Sequence, residues 1–419
     1  MENIVQGQWF RGPSANLGDP IDQSLRFRRT QFLKSAAITT STFTVSVWVK
    51  IGRLRNPSIS GGVTSIVIGT AGTAGYGIGF SNNKLYSSHT GVESSEEFRD
   101  PSAWYHLVAN STGSIYINNT EILSGGGLRD PSGQEIIIGH IFPNTTQQSI
   151  YSFDGLLADY HFIDGSELTP SSFARTNNDG VWVPDTFTGS YGTNGAHLVF
   201  DSSAGLGDDT SGNGNDYTAS GFDTAAITTS NEDNDIDYND TPTNNHATLN
   251  LLKSRSATLN FEHANLRVQY GSGGSHPGMA TMAFTGGKFY FEATPKVQVE
   301  CDIGIVDDDY ILENDNAQFG ETSNGWAWRN SATAHHNGVT TDPSHTAFGV
   351  DDTVGFLIDT EAGTAKIEVN GAAQSNSEFT NIPSDKLIYP FFRLGGGSGD
   401  ANIEFNFGQM PFLHQPSGY

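Results

Sequence analysis

Two stretches fix the kind of fold open to this chain. In "FTVSVWVKI", Phe43, Val45, Val47, Val49 and Ile51 alternate with Thr44, Ser46, Trp48 and Lys50. In "KVQVECDIGIV", Val297, Val299, Cys301, Ile303 and Ile305 fall on one face. A two-residue period sets one side of an extended strand against a core and the other toward water. Short apolar runs of the same kind recur along the chain, among them "SIVIGT", "YGIGFS", "WYHLVANS", "EIIIGHI", "KFYFEA", "TVGFLID" and "ANIEFNFGQ". No long stretch carries a 3.6-residue period. The 49 glycines supply turns, so the chain is expected to be all-β and antiparallel. One short helical turn is expected at "TPSSFA", with Thr169 as cap and Pro170 first.

A length of 419 residues predicts two or three domains. Residues 1–23 hold Gly, Pro and Asn without periodicity and read as an N-terminal arm. Strand patterning then runs over 24–222. Residues 223–246, "DTAAITTSNEDNDIDYNDTPTNNH", are acidic and nearly free of apolar side chains, which predicts a linker. Patterning resumes over 247–419, so two antiparallel sandwiches in series are expected.

The net charge of −25 disfavours nucleic acid and anionic membranes as partners. No apolar run approaches the roughly 20 residues of a membrane span, so no membrane insertion is expected. The opening residues lack the basic-then-apolar order of an export signal, which predicts synthesis in the cytoplasm, with exit by lysis or on a particle. The acid excess is heavier in 223–419 (9 Lys/Arg against 26 Asp/Glu) than in 1–222 (12 against 20). Arg26, Arg28, Arg29, Lys34, Lys50, Arg53 and Arg55 form a local basic cluster, either a solvated strand face or a docking surface for an acidic partner. The single cysteine, Cys301, excludes an intrachain disulfide and reads as a small buried apolar residue.

"SLRFRRTQFL", "FTVSVWVK", "WYHLVA", "SIYINNTEI" and "FDGLLADYHFIDG" lie in order within 24–222, which resembles the laminin-G-like, concanavalin A-like jelly roll. "INNT" stands where that family has an Asn-Gly turn. "GGKFYFEA", "DIGIVD", "GWAWRN", "DDTVGFLIDTEAGTAKIEVNG", "LIYPFFRL" and "IEFNFGQMPF" make residues 286–412 resemble a SPRY domain. The resemblances imply two concanavalin A-like sandwiches. A further resemblance, to virion surface proteins of marine tailed phages including those of cyanobacteria, rests on four runs. These are "ADYHFIDG" (158–165), "VWVPDTFTGSYGTNGAHLVF" (181–200), "DDTSGNGNDYT" (208–218) and "DTPTNNHATLN" (240–250).

Several groups invite chemistry. Asp208, Asp209, Asn213, Asn215 and Asp216 offer hard oxygens for Ca²⁺, although the loop lacks EF-hand spacing and equally suits Asx-turns. No cofactor is expected to be required, and Ca²⁺ is the ion this loop would take. Trp326 and Trp328, two apart, are core residues or a sugar-stacking platform with Arg329 and Asn330 as polar partners. His335 and His336 suit a polar rim to such a groove better than a metal site, because neighbours on a strand face opposite ways. Glu300 and Asp302 share a face, but Gly304 replaces the third acidic residue that a glycosidase run would carry. Neither a His-Glu-x-x-His nor a Gly-x-Ser-x-Gly motif is present.

The sequence therefore predicts a non-enzymatic virion surface protein, tail- or fibre-associated, that recognises a host-surface glycan or protein through sandwich loops. The alternative is a capsid decoration or cementing protein without a host ligand. Other virion proteins are expected partners. A homo-oligomer would suit a fibre, but no heptad or β-helix stalk is visible to impose one.

Overall fold

The computed structural model describes residues 18–52, 54, 64–71, 76–141, 151–224, 235–236, 238–253, 259–270, 275–297, 300–310, 322–341, 345–395 and 401–419. These form two compact units. Among the described residues there are strands and two short 3-10 turns, and every pair of neighbouring strands runs antiparallel.

The first unit comprises 15–226 and 234–244. One seven-stranded sheet runs in the order Leu25–Arg28, Asp154–Asp164, Phe43–Ile51, Trp104–Asn110, Ile115–Ile117, Thr120–Leu123, with Ala196–Leu198 also paired to Asp154–Asp164. The other runs Thr218–Ser220, Phe32–Ala37, Glu135–Ile138, Thr64–Thr70, Tyr76–Ser81, Lys84–Ser87, Val92–Glu97. Val45, Val47, Val49, Phe162 and Leu157 fill the core, with Ile66, Ile68 and Ile136–Ile138 buried on the second sheet. The expected turn is present as the 3-10 segment Pro170–Ser172 with Thr169 before it. The two-residue turn at Asn118-Asn119 works because Asn118 takes a φ of 54°, a conformation Asn tolerates better than most residues.

The strand Phe43–Ile51 is buried on both faces, not one. Its outer face is roofed: Trp48 packs with Ala158, Ala174, Ile21, Trp104 and Trp182, much of this from the hairpin Ala174–Thr176/Trp182–Pro184.

The expected 223–246 linker is corrected over its second half. Residues 235–244 belong to the first unit, and polarity does not keep them in solvent because each buried acid meets a buried base. Asp235 accepts from Arg26 Nε (3.3 Å), Arg28 Nε (2.6 Å) and Gln31 Nε2 (3.2 Å). Asp240 accepts from Lys50 Nζ (2.7 Å) and Trp104 Nε1 (3.0 Å). Backbone bonds from Ser24 N to Tyr238 O and from Arg26 N to Asp235 O hold the segment alongside the first strand. The acidic partner expected for the basic cluster is thus this chain's own segment, at least for Arg26, Arg28 and Lys50; Arg53 and Arg55 lie outside the described residues. The expected arm is corrected over residues 18–23, where Asp19 N donates to Pro184 O and Ile21 N donates to Thr243 Oγ1; residues 1–17 lie outside the described residues.

The second unit holds one sheet in the order Leu259–Glu262, Arg267–Tyr270, Ala401–Asn406, Lys288–Val297, Val354–Asp359, Thr364–Val369, Ala372–Ala373. The other runs Ser275–Met279, Ile388–Gly395, Cys301–Asp307, Gly325–Arg329, Thr333–His336, Val339–Thr341. "KVQVECDIGIV" is therefore not one strand. Val297 ends a strand of one sheet and is 41% exposed, while Cys301 starts a strand of the other and is buried. Val299 lies outside the described residues.

Candidate functional site

The site is set by one irregularity in the strand Asp154–Asp164. Ala158 stands opposite Trp48 and His161 opposite Ser46, so three steps on one strand match two on its neighbour. The extra residue is a β-bulge, and Asp159 sits in it with a φ of 52°. Ala158 and His161, an odd number apart, would point to opposite faces of a regular strand. The bulge puts both on the outer face, because directly opposed residues share a face and Trp48 and Ser46 share theirs.

His161 pairs across the strands with His197, and the two rings stack at 4.3 Å with an 8° tilt. Asp159 reaches both: Oδ1 lies 2.7 Å from His197 Nε2 and Oδ2 lies 3.1 Å from His161 Nε2. The far ring nitrogens are held by hydroxyls, His161 Nδ1 by Tyr191 Oη at 2.9 Å and His197 Nδ1 by Thr210 Oγ1 at 2.8 Å. Phe173 and Phe187 pack their rings against His161. Burial pushes the Asp159 carboxyl up, but the charge and hydrogen bonds of His161 and His197 prevail and hold it well below the usual carboxylate range. Burial, with Asp159 and Asp209 close by, raises the Tyr191 phenol.

These groups lie in a cleft of about 490 Å³ whose walls include Pro20, Ile21, Pro184, Phe187, Tyr191 and Thr210. Its lining also includes Asp19, Asp22, Asp185 and Asp201, with Asp185 paired to Arg175 at 3.5 Å, and among the described residues neither Lys nor Arg lines it. A few converging polar groups against an aromatic wall are the usual make-up of a small-ligand site.

A family model for the concanavalin A-like lectin/glucanases superfamily matches residues 29–172, and the SPRY domain model matches residues 288–410. The chain joins a concanavalin A-like domain to a SPRY domain. A probable ATP-dependent RNA helicase, ddx1 of Dictyostelium discoideum, is 26% identical over 140 residues, which is 33% of this chain and 17% of that protein. The chain thus matches about a sixth of the length of that curated relative. Among solved structures, the SPRY domain of human HERC1 is 18% identical with a TM-score of 0.33, covering 38% of this chain and 96% of that one. The PSpry domain of TRIM65 is 13% identical with a TM-score of 0.31, covering 38% and 92%. Stonustoxin is 18% identical with a TM-score of 0.32, covering 38% and 27%.

The concanavalin A-like match stops at residue 172, while His197, Tyr191, Phe187 and Thr210 come later. More than half of the residues lining the cleft therefore come from the extension that follows the matched domain.

The SPRY domain does not present the expected sugar platform. Trp326 and Trp328 do share a face, but they are 1% and 0% exposed. Trp328 Nε1 donates to Ser377 O at 2.7 Å, and Trp326 Nε1 donates to Asn381 Oδ1 at 3.1 Å, so the indoles are satisfied core residues. Arg329 pairs with Asp302 (2.8 Å), and Asn330 Oδ1 accepts from Cys301 N. His336 stacks on Trp326 at 4.9 Å and bonds Gly325 O and Asn381, while His335 bridges Thr333 and Thr340. All six residues are committed to packing or internal bonds. Glu300 and Asp302 are held by Arg393 (2.7 and 2.6 Å) and Arg329. Burial raises the Cys301 thiol, in keeping with an inert apolar residue.

In the first unit, the loop expected for Ca²⁺ is spent on the backbone. Asp209 accepts from His197 N, Ser211 N and Asn215 N. Asp216 accepts from Asp209 N, and the amides of Asn213 and Asn215 both reach Gly195 O. Asp208 lies beside Gly205. The Asx-turn reading fits this loop, and its work is to clamp His197.

The sequence reading passed over Asp159, His161 and His197. The signal available was Asp-x-His in "ADYHFIDG" followed by a lone His in "AHLVF", two strand-borne sites whose pairing only the fold reveals.

Proposed function

We propose that the protein is a non-enzymatic recognition protein of a virion surface, and that its ligand, a host-surface glycan, binds in the cleft beside Asp159, His161 and His197. The observation that carries this reading is convergence. Three of the four runs that resemble marine tailed-phage virion proteins, 158–165, 181–200 and 208–218, supply Asp159 and His161, Phe187, Tyr191 and His197, and Thr210 and Ser211 to one cleft. The fourth begins at Asp240, which ties the last segment of the same unit to Lys50. An aromatic wall beside carboxylates and imidazoles suits the apolar face and hydroxyls of a sugar ring. The lectins of the first matched superfamily and the SPRY domain suit recognition, while the same superfamily also holds glucanases, so fold alone assigns neither ligand nor chemistry. Many weak sites on one particle would add by multivalency.

The burial of Trp326 and Trp328 favours a second reading for the SPRY domain, that of a cementing module without a host ligand.

A glycan array probed with the native protein and with Tyr191→Ala tests the first reading. Binding that Tyr191→Ala abolishes supports it; an array silent to native protein removes the glycan. Antibody-gold labelling of purified particles of the source tests the location. Label at tail or fibre tips fits attachment, an even coat over the capsid fits decoration, and no label on intact particles sinks the virion reading.

A further inference from the structure

We propose that Asp159, His161 and His197 form a binding site for a divalent transition-metal ion of the zinc type. The inference concerns the same cleft but does not rest on the glycan reading.

The donor set is two imidazoles and one carboxylate. One donor atom from each residue lies within 4.8 Å of the others. The two Nε2 atoms meet different oxygens of Asp159, His197 at Oδ1 (2.7 Å) and His161 at Oδ2 (3.1 Å), so the carboxylate already stands between the two nitrogens that would share an ion with one of its oxygens. Because the two rings stack at 4.3 Å with an 8° tilt, seating an ion requires them to turn out of the stack so that both Nε2 lone pairs converge beside one oxygen of Asp159. Nitrogen donors select zinc-like ions over Ca²⁺ or Mg²⁺, which take oxygen.

The outer contacts are those of metal-bound histidines, whose second ring nitrogen is held by a fixed partner. Thr210 Oγ1 has one proton and a carbonyl to receive it, His197 O at 3.1 Å. With its proton there, Oγ1 accepts from His197 Nδ1–H and leaves the Nε2 lone pair facing Asp159. Tyr191 Oη stands 2.9 Å from His161 Nδ1 and can likewise accept its N–H. The backbone supports the arrangement. Asp159 is held in a left-handed bulge, and residues in such conformations gather at functional sites. His197 is pinned through its own N–H to Asp209 and its own carbonyl to Thr210 N.

One side of the cluster is open. His161 is 4% exposed, but Asp159 and His197 are 16% and 22% exposed toward the cleft. Three protein ligands with room for a fourth, exchangeable one is the pattern of an open zinc site. Asp19, Asp22 and Asp201 in the cleft's lining favour a cation there, while Asp185 is paired with Arg175. The competing arrangement has no ion, both Nε2–H groups donating to Asp159, and the experiment separates the two.

Full-length protein stripped with a chelator is titrated with Zn²⁺ by calorimetry and with Co²⁺ by visible absorption, in the absence of any sugar. The expected result is one equivalent bound per chain, with intense ligand-field bands of a four- or five-coordinate site. His197→Gln should weaken binding at least about 10-fold, and Thr210→Val, which keeps all three ligands, by about 10-fold. Folding of each variant is checked by circular dichroism. Should a variant not fold, the native Co²⁺ spectrum decides: an octahedral, water-like spectrum overturns the proposal. No saturable heat with Zn²⁺ overturns it, as does stoichiometric binding that survives His197→Gln undiminished. A failed glycan array with an intact metal site would remove the sugar alone.

Discussion

Lys50 and Asp240 form an ion pair 190 residues apart in the chain, Nζ standing 2.7 Å from Oδ2 with both side chains buried. Burial drives the Lys50 ammonium toward its neutral form, and Asp240 opposes this by charge and hydrogen bond. Removing one partner from such a pair strands a buried charge, whereas replacing both with apolar groups of like volume is often neutral. Asp240→Ala is expected to cost about 3–5 kcal/mol, and the double variant Lys50→Met/Asp240→Leu to recover most of it. Urea unfolding at neutral pH reads both. A loss of only a few tenths for Asp240→Ala would show that the pair is solvated.

The same segment sets the length at which the first unit can stand alone. A fragment of residues 15–222 lacks the carboxylate that receives Arg26 and Arg28, and exposes the strand edge now bonded to 235–238. A fragment of 15–244 is expected to unfold in one cooperative transition and the shorter one to melt lower and less sharply. Matching thermal curves would refute this.

His106 predicts an acid-sensitive core. Trp182 Nε1–H donates to Nδ1 at 3.2 Å and Ser46 Oγ lies 2.8 Å from Nε2, so the neutral ring with its proton on Nε2 is fully satisfied. Burial brings its pKa down to about 3 from 6.5. The unfolded chain therefore gains a proton below about pH 6.5 that the folded chain refuses. The stability contributed by neutral His106 is whole above that pH and drains as the pH falls toward 3. Between pH 7 and 5 this single group accounts for ~2 kcal/mol. His106→Gln should shrink the stability difference between those pH values by that amount, measured by chemical denaturation.

Trp328 and Tyr191 should separate folding from recognition. Trp328→Ala empties a site between Phe356 and Phe379 and is expected to cost about 3–5 kcal/mol in the SPRY domain while leaving glycan binding unchanged. Tyr191→Ala should lower ligand binding with a smaller loss of stability. If Trp328→Ala removed binding in a protein still folded at the assay temperature, the cleft would not be the recognition site.

The two sandwiches were legible in the sequence because alternation is a local property, and Val45, Val47 and Val49 declare their face without help from distant residues. The covering of the opposite face was not, since Asp240 and Trp182 reach Lys50 and His106 only through the fold. Composition misled at 235–244, where charge reads as solvent exposure unless the countercharge is known to be waiting. The Trp326/Trp328 pair showed its shared face but not which side of the sheet was core. The candidate cleft was the least legible part. Its three central residues come from two strands in register, and that register depends on a bulge that a strict period of two cannot contain.

That bulge makes the cluster a matter of counting. Taking one residue out of the strand at Asp159 would restore the even rhythm against Phe43–Ile51, remove the carboxylate and turn either His161 or the residues before it to the other side. The whole constellation of Asp159, His161 and His197 therefore hangs on a single codon's worth of chain. An ancestral sandwich could have acquired it, and a descendant could lose it, in one insertion or deletion that leaves the rest of the fold recognisable.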